Sequence, residues 1–466
     1  MTPVGNPPMD RALKIGAVAA VSLLMAGCGT IQNALPFNLG RGPDADAVAS
    51  AGERIPVIAF DQSLAPSAAL AGRDFFLPGP QAVVSWLSAG GAGDNSVQHV
   101  IAARDFTVGW RRKIGAGAGN ASRIMSPPVA DGGRVFVMDG QSTVSAVDAR
   151  TGNVVWRTDV RPEGRERGGF GGGVAVSAGR VFVGSGYRTM TALDAATGAV
   201  VWRTPVDAPI HGAPTVAGAR VYVVDVDNQI LAFDTATGQQ VWSYRGIVEP
   251  ARIMLASSPA VTGDTVIAPF SSGELLALRA SNGQPLWQRE LSRTSRTSAL
   301  SEVRDIAGRP VVSGGFVYSV SHSGVMAAVD SRSGQPLWQT PVSGVQAPLP
   351  VGDVVYVVSK AGELSVLNRQ DGRVYWTRDL NEGRIRQEGG FLGFFDRTVR
   401  PSWAGPILAS NRLILVNSDG EAVALNPKTG EPLATLRIGG AMYVSPIAYD
   451  GALIVITDDG ELVSIR

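Results

Sequence analysis

Few residues in the chain are of types that do chemistry, and they are widely spaced. There are three histidines, His99, His211 and His322, and one cysteine, Cys28. The histidines lie far apart in sequence and in different units, and no carboxylate or histidine spacing suggests a metal-ligand set. This pattern points to no metal site. The cluster Arg-Gly-Gly-Phe-Gly-Gly-Gly-Val-Ala-Val at 167–176 is rich in glycine but lacks the Gly-Lys-Ser/Thr that completes a phosphate loop. It reads instead as a flexible or close-packed entry to a strand. Neither a nucleophile elbow nor a zinc-protease helix is present. The expectation is a chain with no catalytic residue, no metal and no cofactor.

Cys28 points to a different chemistry. Arg11 and Lys14 precede an apolar run at 15–25, which ends in the small residues Ala26 and Gly27. That is the layout of a secretory signal peptide. The run is too short to span a bilayer, which takes about 20 residues. Met25-Ala26-Gly27-Cys28 resembles a bacterial lipobox, in which the thiol is acylated and the cysteine becomes the mature N-terminus. The alternative is an ordinary signal with an incidental cysteine. Gly29, where an Asp would favour retention at the inner membrane, points by resemblance to Gram-negative lipoproteins toward the outer membrane. Met9 is an alternative start.

Composition narrows the fold class. Hydrophobic residues make up 45% of the chain, charged residues 17%, and there are 57 glycines. Such a mix suits an all-β protein with many tight turns. The net charge is +1 with both signs interspersed, so the basic stripe of a nucleic-acid binder is missing. Residues 28–100 are rich in Gly, Ala, Pro and Asp and show no sustained period. They read as a tether with docked apolar anchors at Phe75, Phe76 and Trp86. The expected divisions are 1–27, a lipoprotein signal peptide; 28–100, the lipidated cysteine and tether; and 101–466, the folded domain.

That domain is built from one repeated unit. "ALDAATGAVVWRTPV" at 192–206 recurs as "AVDARTGNVVWRTDV" from Ala146, "AFDTATGQQVWSYR" from Ala232 and "ALRASNGQPLWQREL" from Ala277. It returns as "AVDSRSGQPLWQTPV" from Ala328, "VLNRQDGRVYWTRDL" from Val366 and "ALNPKTGEPLATLRI" from Ala424. The tryptophans Trp156, Trp202, Trp242, Trp287, Trp338 and Trp376 lie about 38 to 51 residues apart, the period of four-stranded propeller blades. In the seventh unit Leu433 is read at the Trp position. The segment 452–466 supplies middle strands but no Trp strand, whereas "FTVGWRRKIG" at 106–115 supplies Trp110 without a unit before it. The N-terminal strand is therefore expected to complete the C-terminal sheet. This gives an eight-bladed β-propeller of four-stranded antiparallel blades. The repeated Trp wedges between sheets, and the repeated Asp caps the turn before the Thr-Gly pair.

The segment A-x-D-x-x-T-G-x-x-x-W resembles the pyrroloquinoline-quinone-type propeller, a class that includes quinoprotein dehydrogenases. Those enzymes typically place adjacent cysteines over the quinone, and this chain has only Cys28. Lipobox, tether and propeller together resemble the BamB family of outer-membrane protein assembly factors, and the run from Trp86 to Gly91 looks like its alphaproteobacterial form. The resemblance implies a non-catalytic scaffold lipoprotein on the periplasmic face of the outer membrane. Its partners would be the POTRA domains of a BamA-like barrel subunit, other assembly-machine subunits and nascent outer-membrane proteins. Family members dock through an Arg-Gly loop and a Leu-Ser-Asp-Val-Asp-like loop. Arg245-Gly246 matches the first, and Leu300, Ser301, Glu302, Val303, Arg304 and Asp305 approximate the second with Glu for Asp and an extra Arg304. A periplasmic quinoprotein-like oxidoreductase and a ligand-binding propeller are the competing readings. A third connection, at 381–400, carries Phe391, Leu392, Phe394 and Phe395, which either fold back on the ring or present an apolar patch.

Overall fold

The computed structural model describes residues 64–119, 123–162, 169, 171–247, 257–292, 303–388 and 397–466. Among them lie eight four-stranded antiparallel sheets arranged as a closed propeller, together with one two-stranded ribbon. In chain order, blades one to seven span 129–159, 172–205, 215–245, 260–290, 311–340, 349–379 and 403–437. Blade eight takes three strands from 447–465 and its fourth from Val108–Lys113. That strand pairs antiparallel with Glu461–Ile465, with Trp110 opposite Ser464 and Lys113 opposite Glu461. Backbone bonds between Thr107 and Arg466 in both directions fasten its start. The ring closes as expected from sequence.

Within each blade the strands differ in burial, and their composition accounts for it. In blade three, Thr215–Ala217 is the short inner strand, and first strands of neighbouring blades touch around the axis. Arg220–Val224 and Gln229–Asp234 are buried on both faces because sheets pack on either side, which is why they read as nearly unbroken apolar runs. Gln240–Arg245 lies outermost with most of its residues exposed. The third-to-fourth-strand turn is held by a carboxylate. Asp194 Oδ1 accepts from the Thr197 hydroxyl and from the backbone N–H groups of Ala196 and Thr197. These bonds, the hydroxyl's foremost, hold the Asp194 carboxyl below its ordinary range.

Each tryptophan is a joint between blades. The Trp202 indole N–H donates to Thr235 O at 3.0 Å in the next blade, and its ring lies over Gly238. A Cβ on Gly238 would sit 2.5 Å from Trp202 Cδ2, and φ there is +73°, so both space and backbone demand glycine. The same indole bond joins Trp110 to Ala149, Trp156 to Ala195, Trp242 to Ala280, Trp287 to Ser331 and Trp338 to Arg369. Trp376 packs on Gly430, but there the Tyr356 hydroxyl donates to Pro427 O instead.

The register corrects the reading of the seventh unit. Ala424 pairs with Ala434, as Ala328 pairs with Trp338, so Ala434 and not Leu433 holds the tryptophan position. Leu433 aligns with Leu337, and both are exposed. The small residue has a physical reason. Blade eight joins strands from distant parts of the chain, so it has no third-to-fourth-strand turn and no glycine for an indole to cover.

The segment from Leu64 to Ala103 is laid against the ring. Phe75 and Trp86 are buried, whereas Phe76 is exposed. Trp86 exchanges both backbone bonds with Ala130 of blade one. Leu87 O accepts from Val176, Gly93 O from Val261 and Asp94 O from Val312. Residues 86–95 thus bond to inner strands of blades one, two, four and five and cap one end of the axial channel.

Removing one joint should be costly. Trp202→Ala is expected to lower unfolding stability by about 3–5 kcal/mol, the range for deleting a large packed aromatic. Leu433→Ala should change it by less than about 1 kcal/mol, because that side chain is largely in water. Chemical denaturation of the two variants beside the parent chain measures both.

A candidate docking face

In an antiparallel meander, second-to-third-strand turns and blade-to-blade connections share one face. The Arg-Gly pair and the Val303–Asp305 stretch both fall there, on the face opposite the cap made by residues 86–95. They meet at a single turn, 270–274 of blade four. Gly246 lies against the Phe270 ring, where an added Cβ would come within 2.7 Å of Cε2. Its N–H donates to Asn228 O at 2.8 Å. The Asn228 side-chain oxygen in turn accepts from the Ser271 N–H and hydroxyl. From the other side, Ile306 N–H donates to Phe270 O, and Arg304 packs on Gly273. Two loops from different blade junctions therefore flank one hairpin turn.

The surface they frame is mixed in character. Arg245 is exposed and donates to Gln229 Oε1 at 2.9 Å. Ile247, 60% exposed, projects beside it. A groove of about 300 Å³ runs between Tyr244, Ile247, Phe270 and Glu274. Arg304 faces Glu290 at 3.7 Å, with both side chains partly in water. Asp305 is 4% exposed, its carbonyl accepting from the His322 N–H, so it anchors the loop from beneath. Leu300, Ser301 and Glu302 lie outside the described residues, as do Phe391, Leu392, Phe394, Phe395 and Cys28. The segment that carries the four apolar residues is flanked by the ribbon Arg386–Glu388 with Arg397–Val399.

Sequence reasoning missed Asp225, at the second-to-third-strand turn of blade three. Burial pushes its carboxyl up to about 6, against the opposing effect of the backbone N–H groups of Gln229 and Asp227 and of Arg245. An aspartate in a turn next to the Arg-Gly pair was the available signal.

The histidines are separate. His99 accepts the Asn411 N–H at Nε2, which leaves Nδ1–H to donate to Pro78 O at 2.7 Å, a satisfied core histidine. His322 lies beside Val303 O and Lys360, and burial, with the neighbouring ammonium, lowers its pKa. Among the described residues, no group of three or more His, Cys, Asp or Glu is placed to hold a metal ion. Of the glycines in the 167–176 stretch, Gly169 and Gly171–Gly173 are described, and they are closely packed. A Cβ on Gly172 would meet Gly184 O at 2.1 Å.

The raised Asp225 pKa fixes a sign for pH dependence. The folded state holds this proton more tightly than the unfolded chain, whose value is near 3.8, so the group's contribution is favourable at low pH and lost as pH rises from about 4 through 6. Asp225→Asn keeps the acceptor for both N–H groups and removes the charge. It is expected to raise stability above pH 7 by up to about 3 kcal/mol, with no difference below pH 4. Denaturant melts at the two pH values check this.

Comparison with known proteins agrees with the propeller fold. The profile of a family described as "Outer membrane protein assembly factor BamB" matches residues 93–167 and 140–378. A protein of that name from Burkholderia pseudomallei is 28% identical over 359 residues, 77% of this chain and 87% of its own length. The crystal structure of BamB from Moraxella catarrhalis superposes with a TM-score of 0.62 at 20% identity, covering 77% of this chain and 98% of that one. The quinohemoprotein alcohol dehydrogenase from Comamonas testosteroni shares the fold at a TM-score of 0.61 and 16% identity, covering 82% of this chain and 80% of its own. With a profile match across more than half of its length, the chain belongs to the family of outer membrane protein assembly factor BamB.

Proposed function

We propose that this chain is a non-catalytic scaffold of outer-membrane protein assembly, held at the periplasmic face of the outer membrane by an acylated Cys28. Its docking surface is the face at blades three to five, where Arg245, Gly246 and the Val303–Arg304–Asp305 loop flank the turn 270–274. The partner is the periplasmic POTRA region of a BamA-like barrel subunit, and through it the other assembly subunits and nascent outer-membrane proteins. The convergence of two separate loops on one turn is the observation that carries this reading. It yields an exposed guanidinium, an exposed isoleucine and a groove on a rigid base, the combination of charged rim and apolar centre that protein interfaces use. A redox role fits the residues less well. The axial channel is capped by residues 86–95, and no metal-holding group occurs among the described residues.

Arg245→Glu reverses charge at an exposed position whose one side-chain bond among the described residues is to Gln229, so the ring should stay folded. Retention of the purified barrel subunit on the full-length protein is expected to fall at least tenfold, with an unchanged melting temperature. Undiminished retention would remove this face from the interface. Separately, Cys28→Ser should shift the protein from the membrane pellet to the soluble fraction on cell fractionation. Continued pelleting would speak against acylation.

A further inference from the structure

We infer that the axial channel is a site for a small monovalent anion, held by Arg309. In blades three, four, six, seven and eight the residue before the inner-strand proline is small: Ala213, Ser258, Ala347, Gly405 and Ser445. Blade five alone of these six puts an arginine there, before Pro310. Its side chain reaches a cavity of about 40 Å³ between the cap and the inner strands of blades five to eight, lined also by Trp86, Asn95, Leu349, Ile407 and Ser445. No aspartate or glutamate lines that space. Among the described residues, Arg309 has neither an ion pair nor a hydrogen bond, and its Nε is fully enclosed without an acceptor.

One further donor lines the same space: the Trp86 indole N–H is enclosed and has no acceptor. The Asn95 amide N–H group donates to Pro310 O at 3.0 Å and Pro259 O at 3.3 Å, fixing that side chain on the cavity wall, and its enclosed Oδ1 is left without a donor, a place for a water beside the anion and not for the anion itself. Arg309 is half-buried with its Nε enclosed; a partly desolvated cation with no opposing charge is costly, and a guanidinium keeps its charge where a lysine would lose it. Burial lowers the Arg309 pKa only to about 10, so it is charged at neutral pH. A water molecule accepts a hydrogen bond but supplies no charge. An anion accepts from the enclosed N–H groups and neutralises the guanidinium together. The space admits only a few water-sized atoms, so a halide or a formate-sized carboxylate fits and a quinone does not.

The test uses the full chain in sodium chloride against sodium gluconate at constant ionic strength, because gluconate is too large for the cavity. The melting temperature of the parent is expected to rise with chloride and saturate, and Arg309→Met should abolish the dependence. Should that variant not fold, Trp86→Phe, which deletes only the indole donor, should raise the half-saturating chloride concentration several-fold. Crystals equilibrated in bromide should show an anomalous peak within hydrogen-bonding distance of the Arg309 guanidinium. Sodium formate in place of chloride separates a carboxylate occupant from a halide by whether it displaces that peak. An empty bromide map at saturating concentration, or an unchanged chloride response in Arg309→Met, overturns the proposal.

Discussion

The fold depends on the joint between an indole and a glycine. Each sheet is apolar on both faces of its middle strands and buries neither alone. What sets the angle and distance to the next sheet is the Trp ring lying on the glycine of the following third-to-fourth-strand turn. The joint is unforgiving: a Cβ at Gly152, Gly198, Gly238, Gly283, Gly334 or Gly372 would come within 2.7 Å of an indole carbon. The turn must therefore be correct before the joint can form. A side-chain oxygen does that work: Asp148, Asp194, Asp234 and Asp330 in four blades, and Asn368 and Asn426 in two more. In blade four the cap position is Arg279, and Asp264 from the neighbouring turn supplies the oxygen to Ser281 N–H while pairing with Arg279 at 3.7 Å. The requirement is met by a different residue, which identifies it as a requirement of the turn and not of the sequence motif.

Most of the ring was legible because those two demands leave a mark in sequence. The Asp and Gly at fixed distance from Trp announce the unit, and the unmatched Trp110 announces the closing strand. The error at Leu433 came from matching positions by residue size. The Pro-Leu pair shared by 336–337 and 432–433 places Ala434 at the joint, and only topology explains why an alanine suffices there. The segment at 64–103 gave no such signal. Its bonds run from irregular backbone to carbonyls and N–H groups in seven of the eight blades, and a chain that borrows its order from the ring shows no period of its own.

The candidate docking face was legible in part. Arg245-Gly246 stood out because a glycine ends the fourth strand, and the reason is the Phe270 ring occupying the space where a Cβ would go. The burial of Asp305 was not legible, since a run of alternating charge between two blades reads the same whether its members face water or support the loop. Arg309 did leave a trace, a large cation in a place where five other blades put a small residue. It becomes visible only after the inner-strand prolines are aligned, and those strands are too short to align by periodicity.

The two ends of the ring divide the work. One end is bonded shut by residues 86–95, which tie the inner strands of separate blades together and leave the blades little freedom to slide. The other end carries the turns and connections. A loop on that end would ordinarily be mobile and would lose entropy on binding. Here Gly246, Asn228, Ser271 and Ile306 bond the two loops to one turn, and that turn sits on a blade whose position is fixed by Trp242 before it and Trp287 after it. The interaction that closes the ring therefore also holds Arg245 and Ile247 in place ahead of any partner. A substitution at a joint on the far side of blade four should consequently weaken the proposed docking without touching the candidate surface.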